Sequence, residues 1–552
     1  MPRRRPRISA AENTEKPRPA ATTSTSATSA TGSGWAPLRR STFRALWIAQ
    51  FVSNVGGWMQ TVGAQWVLLG HGSAEVALVQ TAASLPVFLL ALPAGALADL
   101  VDRRRVLLWC QVGMTVLATV LAVLAFTGHL APTPLLGITF LLGCCTAVNS
   151  PAWQAIQPTL VPAGELRQAS SLGAVNMNVA RAVGPALGGA VVAAAGVGWT
   201  FAFNAVSFLG TLYVVARRLP AATRRRDAGR DEHAIAALRA GGGYVLNSPV
   251  VRRILLRALL FLPAASAVWA LLPVMARSFL GMGSGGYGLL LGAVGVGALG
   301  MAFVLPQASN KLGNNGLLAA SGLAFAAGLA VLAVVHDVPA AVLALAVIGA
   351  AWIGALSTLN ASMQLFLPSW VRARGLAYYL MVFQGGQAFG AVAWGVLAQH
   401  VGLARAGIAA AALMAVGALT IRLWPLKQTD GADRGVWDRW PEPAVVLEPE
   451  PTDGPVLVLV EYDVAAERQA AFTEAMRAVE RSRRRTGAAT WSLYQDPANP
   501  GVLIEAFQVR SWSEHLAQHH VRYTGLDGSF EERAREQVTG EPRVRHVVAL
   551  DV

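Results

Sequence analysis

The chain has 552 residues, of which 54% are hydrophobic and 14% are charged, and its formal net charge is +14. Soluble domains carry about 25% charged residues, whereas this chain has only eight acidic residues between Phe43 and Trp424. So few carboxylates exclude an ordinary cytosolic protein and a disordered chain, and they predict an integral membrane protein.

Apolar segments long enough to cross a bilayer, which takes about 20 residues, are predicted twelve times, in two groups of six. They lie near 45–69, 76–98, 106–127, 132–152, 170–195 and 199–216, and then near 252–278, 285–308, 315–335, 339–366, 376–399 and 402–424. The predicted fold is an all-α membrane protein with an N-terminal bundle (41–217) and a C-terminal bundle (250–426). A basic tail (1–40) is predicted to be disordered, and a hydrophilic linker (218–249) joins the bundles.

Basic residues concentrate in alternate loops. The run Arg103–Arg105 and the arginines at 372 and 374 lie in loops on one predicted side, while the opposite side has only Arg277 and Arg405. Positive loops mark the cytoplasmic side, so we expect a multi-pass protein of the cytoplasmic (plasma or inner) membrane with both termini inside. The same placement explains the basic balance without a nucleic-acid partner.

The last part of the chain has a different pattern. After a second linker (427–454), residues 455–552 alternate strand-like and helical stretches in the order βαββαβ, which predicts a cytoplasmic ferredoxin-like α+β domain. His515 and His519 are four residues apart on a predicted helix. With no cysteine nearby and no third ligand at a fixed spacing, we expect no metal site and no cofactor.

The first residue-level signature joins the second and third segments, with the spacing G-x-x-x-D-x-x-D-R-R. Its members are Gly95, Asp99, Asp102, Arg103 and Arg104. Carboxylates there can pair with arginines or cap a helix, so the motif predicts a cytoplasmic gate; the alternative is a plain solvated turn. The spacing resembles the hallmark of the major facilitator superfamily. That resemblance implies a secondary active transporter whose two bundles rock around a central site, coupled to a proton.

A second signature in the fifth segment comprises Gly184, Pro185, Gly188 and Gly189. Proline bends a helix and glycines allow close packing; a merely well-packed helix is the alternative. The motif resembles the fifth-helix motif of the superfamily's exporters, with Ser171 and Ala180 in place of its upstream glycines. The run from NSPAWQ to VGPALGG resembles the enterobactin-exporter-like, or transmembrane secretion effector, branch.

Polar residues of the first segment recur at spacings of 4, 4, 3 and 4 and share an arc of about 80° on one helix face. They are Gln50, Asn54, Trp58, Thr61 and Gln65. Polar groups at membrane depth face protein or a wet cavity, so the stripe predicts a substrate pathway; hydrogen bonding between helices is the alternative. Further candidates are Asn176, Arg181, Gln384 and Gln387. Arg181 would either attract an anionic substrate or satisfy carbonyls near the Gly184-Pro185 bend.

These observations and the resemblance predict an exporter of small amphiphilic organic molecules of siderophore or drug-like type, in contact with lipid. Coupling to a proton is implied by the resemblance alone, since the sequence shows no carboxylate within the spans to carry it. No Walker-type motif occurs, so ATP is not the direct fuel. The rivals are an importer of the same fold and a membrane-tethered enzyme or sensor. The tail resembles the dimeric antibiotic-biosynthesis monooxygenases, which implies either a homodimer through this domain or a role in ligand sensing. No catalytic residues of that family can be aligned, so we predict no enzyme.

Overall fold

The computed structural model describes residues 35–219, 234–427 and 449–549, together with Asp433, Gly435 and Trp437; at 95–100, 155, 157, 158, 163 and 234–238 it describes the backbone alone. The predicted disordered tail therefore lies outside the described residues up to residue 34. Its last residues correct the prediction, because Ala36–Arg39 forms a 3-10 turn. Pro37 is buried there and Leu38 packs near Phe43, which orders this stretch.

The N-terminal bundle contains six long helices, α1 to α6. Their bounds are Ser41–Leu68, Ser73–Leu100, Arg103–Phe126, Pro132–Ile156, Leu166–Ala195 and Val197–Arg218. Helix α1 packs on α5 and α6, α3 packs on α4 and α6, and α2 packs on α4. A short helix, α7 (Ala234–Asn247), lies in the predicted linker.

The C-terminal bundle comprises α8 to α12. Their bounds are Pro249–Ser278, Ser284–Val334, Val338–Phe366, Arg372–Val401 and Leu403–Leu419. Helix α9 is 51 residues long, but Gly313 inside it has φ 64° and ψ 172°. Such a left-handed φ is open to glycine at no steric cost, so the glycine divides α9 into the two spans predicted from the sequence.

Among the described residues, ten helices are long and apolar enough to cross a membrane, with α9 counted once. The part of α9 after Gly313, counted separately, is the eleventh span. Helix α1 is the twelfth, and it falls short on hydropathy because it carries the polar stripe. The predicted twelve-helix architecture is confirmed. The bundles meet where α2 contacts α11 and where α5 contacts α9.

The C-terminal domain contains a four-stranded antiparallel sheet in the order β2-β3-β1-β4. The strands are Val456–Asp463, Thr490–Gln495, Val502–Val509 and Arg543–Val548, and the helices are α13 (Gln469–Thr486), α14 (Trp512–Ala517) and α15 (Gly525–Arg535). The predicted βαββαβ order is confirmed, with the second helical region split into α14 and α15.

Two arginines of this domain contact the linker helix and a loop of the C-terminal bundle. The guanidinium of Arg485 lies 5.5 Å from the ring of Tyr244 on α7, and that of Arg522 lies 5.6 Å from the ring of Trp370, which precedes α11. Cation–π contacts of this kind contribute roughly 0.5–2 kcal/mol each. They fasten the domain to the linker helix and to the α10–α11 loop.

Candidate substrate pathway and contacts between the bundles

A chain of amides joins α1 to α5 in the N-terminal bundle. Gln50 donates to Asn54 at 2.9 Å, Asn54 donates to Asn176 at 2.9 Å, and Asn176 donates to the carbonyl of Trp47 at 2.9 Å. Gln50 and Asn54 remain half-exposed, whereas Asn176 is buried. This part of the predicted stripe therefore fits both alternatives, a substrate pathway and hydrogen bonding between helices. Its amides bond from α1 to α5, and two of them still face an accessible space.

Arg181 lies on α5, one turn before the Gly184-Pro185 bend. Its guanidinium carbon is 5.8 Å from the ring centroid of Trp58, and its buried Nε has no hydrogen-bond partner among the described residues. Arg181 also forms no ion pair and no hydrogen bond to a carbonyl among the described residues. The geometry therefore favours a cation available to a ligand over one that satisfies the carbonyls of the bend.

Gln65, at the far end of the stripe, lies in a different environment. It is 1% exposed, donates to the carbonyl of Trp269 at 3.0 Å, and accepts from the hydroxyl of Tyr287 at 2.6 Å. Thr61 donates to the carbonyl of Gly57 within α1. Gln65 thus joins the N-terminal bundle to α8 and α9. For this residue the alternative interpretation of the stripe, hydrogen bonding between helices, applies.

Gln65 belongs to a set of hydrogen bonds that we call the seam, formed where the two bundles meet. Ser73 donates to the carbonyl of Gly395 at 3.0 Å, Thr81 donates to that of Ala388 at 2.9 Å, and Gln80 donates to Gln387 at 3.1 Å. In the order of the helices these residues lie towards the ends remote from Arg103–Arg105. The seam joins the two bundles on the face of the membrane part opposite the arginine-rich loops.

Gln387 is therefore a seam residue, while Gln384, three residues earlier on α11, is half-exposed. Sequence reasoning missed Gln80 and Tyr287, the partners of Gln387 and Gln65. Gln80 carried a detectable signal, since it is an amide inside an apolar segment. Tyr287 did not, because its role depends on the approach of α9 to α1.

The glycines of the bend motif lie against two neighbouring helices. A Cβ on Gly184 would approach the Cβ of Trp58 to 2.6 Å, and one on Gly188 would approach the Cα of Met59 to 2.8 Å. A Cβ on Gly189 would instead collide with the carbonyl oxygen of Ser284 at the start of α9. The motif thus lets α5 pack against α1 within its own bundle and against α9 across the seam.

We expect Gly189→Ala to open the seam, because the added methyl cannot fit beside the Ser284 carbonyl while α5 and α9 remain in contact. Spin labels at the exposed positions of His71→Cys and His400→Cys, in a chain whose three native cysteines are replaced by alanine, would report the α2–α11 separation. A longer distance is expected in the variant. Gly188→Ala, which meets only α1, is the matched control; equal lengthening in both would contradict this assignment.

The described part of the gate motif is a helix cap. Asp102 accepts from the backbone N–H of Arg105 at 2.9 Å and so starts α3. Arg104 donates to the carbonyl of Ala216 at 2.7 Å and ties α3 to the end of α6. Gly95 and Asp99 lie in the last turns of α2, where their side chains are outside the described residues, and Arg103 is the first residue of α3.

Comparison with known proteins identifies the family. The family model described as "Transmembrane secretion effector" matches residues 32–551. The staphyloferrin A transporter of Staphylococcus aureus is 25% identical over 65% of this chain and 89% of its own length. The enterobactin exporter EntS of Salmonella choleraesuis is 28% identical over 57% of this chain and 75% of its own length.

Solved structures identify the fold. The nucleoside transporter NupG superposes with a TM-score of 0.54 at 14% identity, over 70% of this chain and all of NupG (100%). A POT family transporter gives a TM-score of 0.56 at 14% identity, over 69% of this chain and 95% of its own. The chain therefore belongs to the transmembrane secretion effector family and is a multi-pass membrane transporter of the major facilitator fold.

Proposed function

We propose that the protein exports a small anionic, amphiphilic molecule of the siderophore class across the cytoplasmic membrane. Two similar proteins are named as a staphyloferrin A transporter and an enterobactin exporter. The observation that carries the proposal is Arg181, a cation in mid-helix that lies over Trp58 with no acidic partner among the described residues.

Arg181 and Trp58 together suit an aromatic or carboxylate-bearing anion. An unpaired cation inside a membrane protein costs several kcal/mol, and a bound anion would offset that cost. Guanidinium binds carboxylates and similar planar anions in bidentate fashion and stacks on aromatic rings. The amides of Gln50, Asn54 and Asn176 would supply hydrogen bonds to the polar groups of the same ligand. Gln384 would line the substrate pathway from the C-terminal bundle.

The mechanism we propose is alternating access between the two bundles. With the seam closed, substrate enters from the arginine-rich face. The positive loop charges support a cytoplasmic position for that face and for both termini. The bundles then rock, the seam opens and the gate motif from Gly95 to Arg104 closes the cytoplasmic side. Substrate leaves through the opened seam.

The test is accumulation of labelled enterobactin and staphyloferrin A in cells with and without the protein. Export lowers the retained label, whereas an importer of the same fold would raise it. Deleting residues 428–552 separates the rival from another class, a membrane-tethered enzyme or sensor that acts through the C-terminal domain. Efflux retained after this deletion would exclude the tethered enzyme or sensor. If the intact protein does not change the amount of either labelled siderophore that cells retain, the export proposal is wrong.

For the coupling proton we assign Glu75, in the first turn of α2. One of its carboxylate oxygens is buried without a hydrogen-bond partner among the described residues, and it lies two residues from Ser73 of the seam. Proteoliposomes carrying Glu75→Gln should lose substrate-driven proton movement but keep substrate exchange. Asp337→Asn is the control, since Asp337 caps α10 and forms no other side-chain hydrogen bond among the described residues; unchanged proton movement in Glu75→Gln would contradict the assignment.

A further inference from the structure

Three histidines of the C-terminal domain lie together although they come from separate parts of the chain. His515 is on α14, His519 follows one turn later, and His546 is on β4 opposite Val458 of β1. The ring of His515 is 4.7 Å from that of His519 and 4.8 Å from that of His546 between centroids. Each ring offers one nitrogen, and the three nitrogens all lie within 4.8 Å of one another.

The cluster is enclosed and apolar on one side. His515 is 0% exposed and His519 is 6% exposed, and the indole of Trp512 packs 5.4 Å from the ring of His515. Neither ring nitrogen of His515 has a hydrogen-bond partner of good geometry among the described residues, and the side chain of Gln518 is the one hydrogen-bonding group there that acts on its pKa. A buried polar nitrogen without a partner costs about 1–3 kcal/mol, a cost that ligation of a metal ion would offset.

The charges around the cluster permit metal binding. Burial lowers the pKa of both His515 and His519, and the neutral form of imidazole is the one that binds metals. The positive charge of Arg483 acts on both rings. It is balanced by Glu505, at 3.0 Å, and by Glu531.

The backbone at His519 is also unusual. Residues Gln518–Arg522 form a π-helical turn between α14 and α15. Such turns are rare, and they occur frequently at functional sites. This one carries His519 on one side, and it ends at Arg522, the residue that contacts Trp370.

We propose that His515, His519 and His546 form a three-histidine site for a divalent transition metal of the zinc class. Zinc binds histidine nitrogens at about 2.0–2.1 Å in tetrahedral sites, which places such nitrogens roughly 3.4 Å apart. Side-chain rotations that move each ring nitrogen by about 1 Å would bring the three nitrogens, now within 4.8 Å of one another, to that separation. Three protein ligands leave one coordination position for water or another ligand. The proposal reverses the expectation of no metal, which arose because sequence spacing does not reveal that β4 lies beside α14.

The test is titration with Co²⁺ alone, whose visible absorption reports the geometry of its ligands. The full-length chain is purified in detergent without a polyhistidine tag and stripped with a chelator. One Co²⁺ per chain with a tetrahedral-type spectrum, displaced by Zn²⁺, is expected. His519→Ala and His546→Ala should each weaken binding by about 100-fold or more, since loss of even outer-shell partners of a metal ligand weakens binding by 10- to 100-fold.

His520→Ala is the matched control, because His520 is the adjacent residue and is exposed. It should bind Co²⁺ as the unmodified chain does. Zn²⁺ should also raise the midpoint of thermal unfolding of the unmodified chain and of His520→Ala, but not of the other two variants. Absence of Co²⁺ binding by the unmodified chain would overturn the proposal outright. Equal affinity in His546→Ala, or equal weakening in His520→Ala, would overturn it as well.

Discussion

Replacing Arg181 with glutamine should reduce transport of an anionic siderophore by roughly 10- to 100-fold. Hydrogen bonds to a charged group contribute about 1.5–3 kcal/mol, and each 1.4 kcal/mol changes affinity about tenfold. The guanidinium has no acidic partner among the described residues. Its removal therefore leaves no buried carboxylate without a partner, and the fold should persist. The measurement is initial efflux of labelled enterobactin from cells with matched protein levels.

Arg181→Lys separates charge from geometry. Lysine keeps the positive charge but loses the planar fork and most of the stacking on Trp58, so we expect intermediate transport. Arg277→Gln is the control, because Arg277 is an exposed arginine in the last turn of α8. Efflux that is unchanged in Arg181→Gln, or lowered equally by Arg277→Gln, would show that Arg181 does not meet the substrate.

Much of the fold was readable from the sequence because membrane insertion is governed by local properties. The length of the apolar segments predicted the twelve spans, and alternation of apolar residues predicted the order of strands and helices in the C-terminal domain. The polar stripe of α1 could be found in the same way, since helical periodicity places Gln50, Asn54 and Gln65 on one face.

What periodicity could not reveal is which residues meet across the bundles and across the sheet. Gln65 and Asn54 share a helix face, yet Gln65 is sealed against Trp269 and Tyr287 while Asn54 remains half-exposed. Their different environments depend on the approach of α8 and α9 at one end only. His546 is likewise invisible as a partner of His515 until the register of β4 on β1 is known.

The seam makes the second strong prediction, which is that Gln65→Ala shifts the transporter towards its opened seam. The substitution deletes the bond to the carbonyl of Trp269 and leaves the hydroxyl of Tyr287, now 1% exposed, without its acceptor. An unsatisfied buried group costs about 1–3 kcal/mol, which changes the ratio of closed to open seam by roughly 5- to 150-fold. Spin labels at positions 71 and 400 should therefore show a larger long-distance population.

Gln60→Ala provides a matched control on the same helix. Gln60 is 8% exposed and accepts from Asn204 at 2.6 Å, but that bond lies between α1 and α6 inside one bundle. Its loss should lower the midpoint of thermal unfolding without changing the label distances. Because both substitutions remove a buried amide from α1, only a role across the seam predicts that Gln65→Ala alone lengthens the distance; an identical response of the two variants would contradict that role.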